Sequence, residues 1–222
     1  MSWERWNEVD EYTEGLLIGH DEVLAEALRA SQEGGLPPIA VTASQGRLLN
    51  LIARIHGSAR ILEVGTLGGY STIWLARALP PTGRLITLEL SADFAAVASA
   101  NIERAGLAEF VEVRVGPAIE SLQDLLSSGA APFDLVFIDA DKQSTPEYFT
   151  IALELARPGA LMIVDNVVRD GAVVDAGSED PGVQGMRRFL AMAGAEPRVT
   201  ATTIQTVGGK GYDGFTMALV IA

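Results

Sequence analysis

Short runs of apolar residues alternate along most of the chain with stretches in which apolar positions recur every three or four residues. Short runs that are apolar almost throughout are typical of a parallel sheet covered by helices on both faces. The predicted strands span residues 60–64, 84–90, 110–115, 133–138 and 160–164, and the predicted helices between them span 70–79, 92–105, 118–127 and 146–157.

The pattern changes near the C-terminal end of the chain. A helix predicted over 182–193 is followed by two predicted strands, about 197–206 and 213–221, joined across a glycine-rich turn at 208–211. Strands this close in sequence pair in antiparallel fashion. The fold class predicted is therefore α/β: a Rossmann-like, doubly wound, mostly parallel sheet of seven strands, with a C-terminal antiparallel hairpin and N-terminal helices.

The N-terminal region has a different pattern from the rest. Two helical stretches cover residues 3–33, and a Gly- and Pro-rich sequence at 34–38 follows them. Beyond it, Thr42 and Gln45 match a capping box and predict the start of another helix. We therefore expect an N-terminal helical extension, residues 1–35, and one main domain, residues 36–222.

Composition and charge exclude several classes of function. The 222 residues include 16 basic and 29 acidic side chains, a net charge of −13, which disfavours binding to nucleic acid. With no Cys and two His, disulfides, thiolate zinc sites and Cys nucleophiles are excluded. The sequence has no membrane span and no signal or transit peptide, so we expect a cytoplasmic protein without a membrane partner.

Ligands of doubly wound sheets bind beyond the carboxyl ends of the strands, so the residues that follow each strand matter most. The first strand leads into a glycine-rich turn at 65–69, but Leu67 stands where the dinucleotide fingerprint requires glycine. Glu63 lies within that strand and suits a ligand with an ammonium group, or else it is a solvated Glu before a tight turn. Glu89 ends the second strand and is able to accept hydrogen bonds from a ribose diol. Together they indicate an adenosine-type ligand.

Acidic and amide side chains follow the fourth and fifth strands. Asp139, Asp165 and Asn166 offer three oxygen donors without imidazole or thiolate, a set that suits a hard cation such as Mg²⁺. The alternative is an Asp-rich loop of helix caps and surface charges. Lys142 is a candidate base, because a nearby divalent cation lowers the pKa of an ammonium group, or it pairs with a neighbouring Asp.

Residues 36–222 resemble the class I S-adenosylmethionine-dependent O-methyltransferases of the catechol and caffeoyl-CoA O-methyltransferase type. Each matching string is short, but their combination is specific. The strings are ILEVGTLGGYST (61–72), TLEL (87–90), FDLVFIDADK (133–142), RPGALMIVDNVVRDG (157–171) and DGFTMAL (213–219).

The resemblance implies divalent-cation-dependent transfer of a methyl group from S-adenosylmethionine to a hydroxyl of a small catechol-like or phenolic acceptor. It implies Asp139, Asp165 and Asn166 as ligands of Mg²⁺, Mn²⁺ or Ca²⁺, and Lys142 as the general base. Asp139 and Asp141 fall where the acceptor approaches. The cofactor-binding positions that it implies are Val41, Glu63, Gly65, Thr66, Ser71, Glu89, Ala118 and Asp139.

Some alternatives stay open at this point. An NAD-type oxidoreductase shares the sheet and the role of Glu89, and a catalytically inactive cofactor-binding protein shares the fold. The N-terminal helices, with Trp3 and Trp6, form a homodimer surface, as family precedent favours, or cover the sheet of the same chain. The segment 143–147, after DADK, is longer than usual in the family, and we expect this loop to face the acceptor.

Overall fold

The structure, a computed structural model, describes residues 2–222. The chain divides into two compact units, one that ends at Ala118 and one that spans Ile119–Ala222. Each unit contains strands covered by helices, as the alternating pattern predicts. The predicted fold class, a mostly parallel seven-stranded α/β sheet with a C-terminal antiparallel hairpin, is confirmed.

The first unit contains five helices and three strands. Its strands lie in the order β3-β2-β1 and are all parallel, with Arg60 opposite Arg84 and Leu85 opposite Val111. The helices are α1 (Trp3–Leu17), α2 (Glu22–Glu33), α3 (Ala43–His56), α4 (Tyr70–Ala76) and α5 (Ala92–Arg104), and the strands are β1 (Arg60–Val64), β2 (Arg84–Glu89) and β3 (Val111–Val115).

Side-chain caps fix where two of these helices begin. The hydroxyl of Thr42 accepts a hydrogen bond from the backbone N–H of Gln45 at 3.1 Å, which confirms the predicted start of α3. Asp21 caps α2 by accepting from the N–H of Leu24, and it also pairs with Arg77 of the segment after α4. This ion pair ties the N-terminal helices to the unit that holds the glycine-rich turn.

The second unit contains four strands, in the order β4-β5-β7-β6. Strands β4 and β5 are parallel, whereas β7 is antiparallel to both of its neighbours. The strands are β4 (Phe133–Ile138), β5 (Ala156–Asp165), β6 (Val199–Gly208) and β7 (Gly211–Val220), and the helices are α6 (Ala118–Ser127), α7 (Thr145–Leu155) and α8 (Pro181–Ala195), with 3₁₀ turns at Lys142–Ser144 and Ala172–Val174.

Three boundaries in the second unit differ from those predicted. Helix α7 begins at Thr145, one residue before the predicted start, because a 3₁₀ turn leads directly into the helix. Strand β5 begins at Ala156 rather than at 160, so the last two positions of the predicted helix 146–157 lie in the strand. Gly208 pairs with Gly211, so the hairpin turn contains only Gly209 and Lys210.

None of the helices in residues 2–222 combines the length and the apolar character that crossing a membrane requires.

Candidate active site

The glycine-rich turn after β1 has a left-handed backbone at three positions. Gly65, Leu67 and Gly69 have φ values of 101°, 51° and 80°. Leu67 is the unusual one, because a residue with a Cβ rarely adopts positive φ. Its backbone N–H donates to the Oε2 atom of Glu89 at 2.8 Å, so this carboxylate helps to hold the turn in place.

Glu63 is a fully buried carboxylate at the centre of a cluster of hydroxyl groups. The hydroxyls of Ser71 and Thr87 each donate to it at 2.7 Å, and Thr72 donates a third hydrogen bond. Such donors offset the cost of burying the charge. The sequence suggested a cationic ligand as the partner of Glu63, and the structure adds neutral donors from within the fold.

Glu89 ends β2 with 9% of its surface exposed. Besides the bond from Leu67, its Oε1 atom accepts from the backbone N–H of Ser91 at 3.0 Å. A carboxylate has about four lone-pair positions, so both oxygens keep capacity to accept from a further donor such as a ribose diol. Glu89 is therefore both a support of the turn and an available acceptor.

The other predicted cofactor residues of the first unit lie in several elements. The hydroxyl of Thr66 lies 2.6 Å from that of Thr87, which donates to Glu63, so Thr87 links Thr66 to Glu63. Val41 is buried just before α3, and Ala118 is the first residue of α6. The contacts thus join Glu63, Thr66 and Ser71 into one cluster, whereas Val41 and Ala118 lie on other elements.

Asn101 is a supporting residue that the sequence reasoning missed. Its amide nitrogen, buried on α5, donates to the carbonyl oxygens of Gly68 at 2.9 Å and Ala27 at 3.2 Å. It therefore fixes the glycine-rich turn from the neighbouring helix. A polar residue on the apolar face of the predicted helix 92–105 was the available signal.

In the second unit, Asp139 and Lys142 form a close ion pair just after β4. The Nζ atom of Lys142 lies 2.6 Å from the Oδ1 atom of Asp139, and the two side chains are 12% and 22% exposed, respectively. The simple pairing considered for Lys142 therefore exists. Because the pair is largely shielded from water, its charges interact more strongly than they would on the surface.

Asp141, between those two residues, uses both of its oxygens to hold the local structure. Its Oδ2 atom accepts from the backbone N–H of Ser144 at 3.1 Å, and its Oδ1 atom accepts a short hydrogen bond from the hydroxyl of Tyr148. Partial loss of solvent around its carboxyl group raises the pKa of Asp141, but the hydrogen bonds with Ser144 and Tyr148 outweigh this effect and hold the pKa below its usual value. Burial, followed by the bond to Asp141, raises the pKa of Tyr148. Tyr148, after the long segment 143–147, was missed in the sequence.

Asp165 is the last residue of β5, and Asn166 begins the strained loop that follows. Asp165 is 4% exposed, and its Oδ1 atom accepts from the backbone N–H of Asn166 at 2.8 Å. Asn166, Arg169 and Asp170 have φ values of 56°, 57° and 54°. Left-handed non-glycine residues cost energy and tend to cluster at functional sites.

A single carboxylate oxygen supports this loop from β7. The Oδ1 atom of Asp213 accepts from the backbone N–H groups of Val168, Arg169 and Gly214 at 2.9–3.0 Å. The sequence analysis used Asp213 only as part of a matching string. Its role depends on a contact across more than forty residues, which the string does not reveal.

Lys210, in the hairpin turn, brings a second ammonium group to the carboxylates. It interacts electrostatically with both Asp139 and Asp165. Loss of solvent around the ammonium group lowers the pKa of Lys210, and the two carboxylates partly oppose this shift. The ammonium group of Lys210 therefore interacts with both predicted metal-ligating carboxylates, one just after β4 and the other at the end of β5.

The donor set is compatible with a hard cation. Within residues 2–222 there is no group of three or more His, Cys, Asp or Glu side chains suited to a metal. The predicted set contains two carboxylates and one amide, and such a set suits a cation that keeps several waters. Asp139 and Asp165 both interact electrostatically with the ammonium group of Lys210, so each of them favours a positive charge nearby.

Comparison with known proteins identifies relatives along nearly the whole chain. The profile of the O-methyltransferase family matches residues 16–221. The chain is 51% identical to a catechol O-methyltransferase of Niastella koreensis, over 99% of this chain and 100% of that protein. It is also 51% identical to a catechol O-methyltransferase of Mycobacterium tuberculosis, over 96% of this chain and 95% of that one.

Solved structures give the same result. The O-methyltransferase TomG of Streptomyces achromogenes, in complex with S-adenosylmethionine, is 56% identical and superposes with a TM-score of 0.96 over 100% of both chains. An O-methyltransferase of Bacillus cereus, in complex with S-adenosylhomocysteine, is 53% identical with a TM-score of 0.97, over 99% of this chain and 100% of that one. The predicted family and enzyme class are thereby confirmed: the chain belongs to the S-adenosylmethionine-dependent O-methyltransferases of the catechol O-methyltransferase type.

Proposed function

We propose that the enzyme transfers a methyl group from S-adenosylmethionine to one hydroxyl of a small catechol-like or phenolic acceptor, and that the transfer depends on a divalent cation. The observation that carries this proposal is the cluster after β4 and β5. There, the Nζ atom of Lys142 lies 2.6 Å from Asp139, and the ammonium group of Lys210 interacts electrostatically with both Asp139 and Asp165. The names of the two 51% identical relatives support a catechol acceptor.

The cofactor proposal rests first on the glycine-rich turn of the first unit. Glu89 has acceptor capacity for the ribose hydroxyls, and positive φ at Gly65 lets the backbone approach a ligand closely. The complexes of the Streptomyces and Bacillus relatives with S-adenosylmethionine and S-adenosylhomocysteine support the choice of cofactor. The full proposed set is Val41, Glu63, Gly65, Thr66, Ser71, Glu89, Ala118 and Asp139.

The proposed metal ligands are Asp139, Asp165 and Asn166, with Mg²⁺, Mn²⁺ or Ca²⁺ as the cation. Oxygen donors of this kind suit hard cations, and the near-complete burial of Asp165 favours a charged partner. A divalent cation supplies one effect, a lower pKa of the acceptor hydroxyl that it contacts.

Lys142 is the proposed general base. In its neutral form its Nζ atom takes the proton from the acceptor hydroxyl, and Asp139 stabilises the resulting ammonium group. The acceptor oxygen then bonds to the methyl carbon as the bond from carbon to the sulfonium sulfur breaks, which leaves S-adenosylhomocysteine. Asp141 holds the loop around Lys142 through Ser144 and Tyr148, and its exposed position also suits contact with the acceptor.

The test uses purified protein, catechol, Mg²⁺ and S-adenosylmethionine labelled in the methyl group. We expect the label in a methyl ether of the catechol, with one equivalent of S-adenosylhomocysteine, and we expect EDTA to abolish the transfer. Transfer that is insensitive to EDTA would contradict the cation dependence, and no transfer to any phenolic acceptor would contradict the proposed function.

We also propose a cytoplasmic homodimer in which residues 1–35 extend the methyltransferase domain of residues 36–222. Helix α1 buries none of its residues, and Tyr12, Leu16 and Leu17 are 70%, 67% and 79% exposed. A contiguous exposed patch of apolar residues is typical of a protein–protein interface. Light scattering tests this: twice the chain mass is expected, and the mass of one chain would contradict it.

A further inference from the structure

The buried amide of Asn101, on α5, connects the glycine-rich turn after β1 to helix α2 of the N-terminal extension. Its nitrogen donates to the carbonyl oxygen of Gly68 at 2.9 Å and to that of Ala27 at 3.2 Å, so both of its N–H groups are used. Its oxygen accepts from the Nη1 atom of Arg104 at 2.6 Å. Because a guanidinium group only donates, this contact fixes the amide with its nitrogen towards the two carbonyls.

Helix α2 also packs directly against the glycine-rich turn. A Cβ placed on Gly68 would lie 2.0 Å from the hydroxyl oxygen of Ser31, so there is no room for a side chain between them. That hydroxyl donates to the carbonyl oxygen of Ala27 at 2.7 Å, the same oxygen that accepts from Asn101. The turn and α2 are therefore joined both by close packing and by a shared hydrogen-bond network.

The turn needs support because its backbone is strained. Leu67 has a φ value of 51°, and a residue with a Cβ persists in this conformation only where the surrounding structure fixes it. The N–H of Leu67 is held by Glu89, and the carbonyl of the next residue, Gly68, is held by Asn101. Since the polar atoms of the Asn101 side chain are all used within the fold, Asn101 acts on a ligand only through the turn.

We infer that Asn101 is a positioning residue for the cofactor: it keeps the glycine-rich turn in the conformation that binds S-adenosylmethionine, and it couples α2 to that turn. This inference rests on the proposed placement of the cofactor at the turn, and it makes part of the N-terminal extension a support of the cofactor site. Without Asn101, we expect the turn to adopt its binding conformation for about a tenth of the time, which raises the apparent Kd about tenfold. Bound cofactor in turn stabilises the contact between the turn and α2, because coupling between two sites is reciprocal.

Calorimetry with S-adenosylhomocysteine tests the inference without an acceptor or a cation. We expect Asn101→Ala to raise the Kd about tenfold, and Asn101→Asp to do the same, because a carboxylate keeps the size of the amide but donates nothing to Gly68. Asn50→Ala is the matched control, since Asn50 is also buried and its amide donates to the carbonyl oxygen of Trp74 in α4 at 2.8 Å. Both alanine variants should lower the melting temperature by about 5 °C, but Asn50→Ala keeps the Kd of the unaltered protein.

Arg104→Met is a milder variant that keeps the test decisive if Asn101→Ala does not fold. Arg104 is exposed, and its removal frees the amide of Asn101 to rotate, so we expect the Kd to rise about threefold with little change in melting temperature. Hydrogen exchange gives an independent measurement. Saturating S-adenosylhomocysteine should slow the exchange of α2 amides in the unaltered protein and in Asn50→Ala, but not in Asn101→Ala.

The inference would be overturned if Asn101→Ala and Asn50→Ala raised the Kd by the same factor, or if both kept the Kd of the unaltered protein. Either result leaves the proposed cofactor and the proposed function standing. An unaltered protein that binds no S-adenosylhomocysteine would instead contradict the cofactor site itself, and the inference with it. In methyl transfer, Asn101→Ala should raise the KM for S-adenosylmethionine about tenfold and leave kcat within about twofold, because the proposed base and metal ligands are unaltered.

Discussion

The carboxylates of the two units have different kinds of partners. Glu63 and Glu89 accept from hydroxyl and backbone N–H groups, which are neutral and fixed by the fold. Asp139 forms an ion pair with Lys142, and both Asp139 and Asp165 interact electrostatically with Lys210. A buried carboxylate with neutral donors stabilises the fold around it. A carboxylate that interacts with ammonium groups is suited to exchange a cation or a proton.

The largest expected effect is on turnover, from Asp139→Asn. This change removes one charge from the proposed metal site and the partner of Lys142, so we expect kcat to fall by about 100- to 1,000-fold. The measurement is transfer of labelled methyl to catechol at saturating Mg²⁺. Asp124→Asn, on the exposed side of α6, is the matched control and keeps full activity. A fall in kcat of less than threefold in Asp139→Asn would contradict the proposed role of Asp139 in turnover.

Lys142→Met should change how the rate of methyl transfer depends on pH. Without the base, we expect the rate at pH 7 to fall by about 100-fold, as is usual for loss of general base catalysis. The loss shrinks as pH rises, because the acceptor hydroxyl then ionises without help. Rates measured from pH 6 to 10 check this, and a loss that is constant over that range would contradict the role of Lys142 as a base.

In the first unit, Glu63→Gln should reduce stability. The glutamine brings an amide donor to three hydroxyl donors and removes the charge that they stabilise, so the free energy of unfolding falls by about 2–4 kcal/mol. Urea denaturation measures it, with exposed Glu120→Gln as the control within about 0.5 kcal/mol of the unaltered chain. The Asp139 side chain is 22% exposed, whereas Glu63 is fully buried, so Asp139→Asn should lower the free energy of unfolding less than Glu63→Gln does. The reverse order would contradict the distinction between the units.

The smallest effect concerns the packing of α8 against the turn that holds Lys142. A Cβ at Gly185 would lie 2.1 Å from the carbonyl oxygen of Lys142, so Gly185→Ala displaces that turn and costs about 1–3 kcal/mol. Gly194, in the same helix, has open space, and Gly194→Ala stabilises the chain by about 0.5–1 kcal/mol. Thermal unfolding of both variants checks this, and equal shifts would show that close packing at Gly185 is unimportant.

The sequence predicted the strands and the acids at their ends because both follow from local pattern and one topological rule. Apolar runs identified β1 to β5, and the rule for parallel sheets directed attention to Glu89, Asp139 and Asp165. These positions were predicted without knowledge of any contact.

The supporting residues depend on contacts between distant segments and could not be predicted in this way. Asp213 acts through the backbone of the loop at 168–169, and Asn101 acts through the carbonyl of Gly68. Lys210 interacts with the carboxylates from a two-residue hairpin turn, which is shorter than predicted. Hydrophobic periodicity carries no information about such long-range hydrogen bonds or about the length of a turn.

We expect the cluster after β4 and β5 to bind a divalent cation, and electron paramagnetic resonance of Mn²⁺ measures such binding directly. We predict one tightly bound Mn²⁺ per chain in the unaltered protein, displaced by excess Mg²⁺ and lost in Asp139→Asn and Asp165→Asn. The control variant Asp124→Asn should bind one Mn²⁺ as before. The account would be contradicted by an unaltered protein that binds no Mn²⁺, or by variants of Asp139 and Asp165 that bind it as tightly as the unaltered protein does.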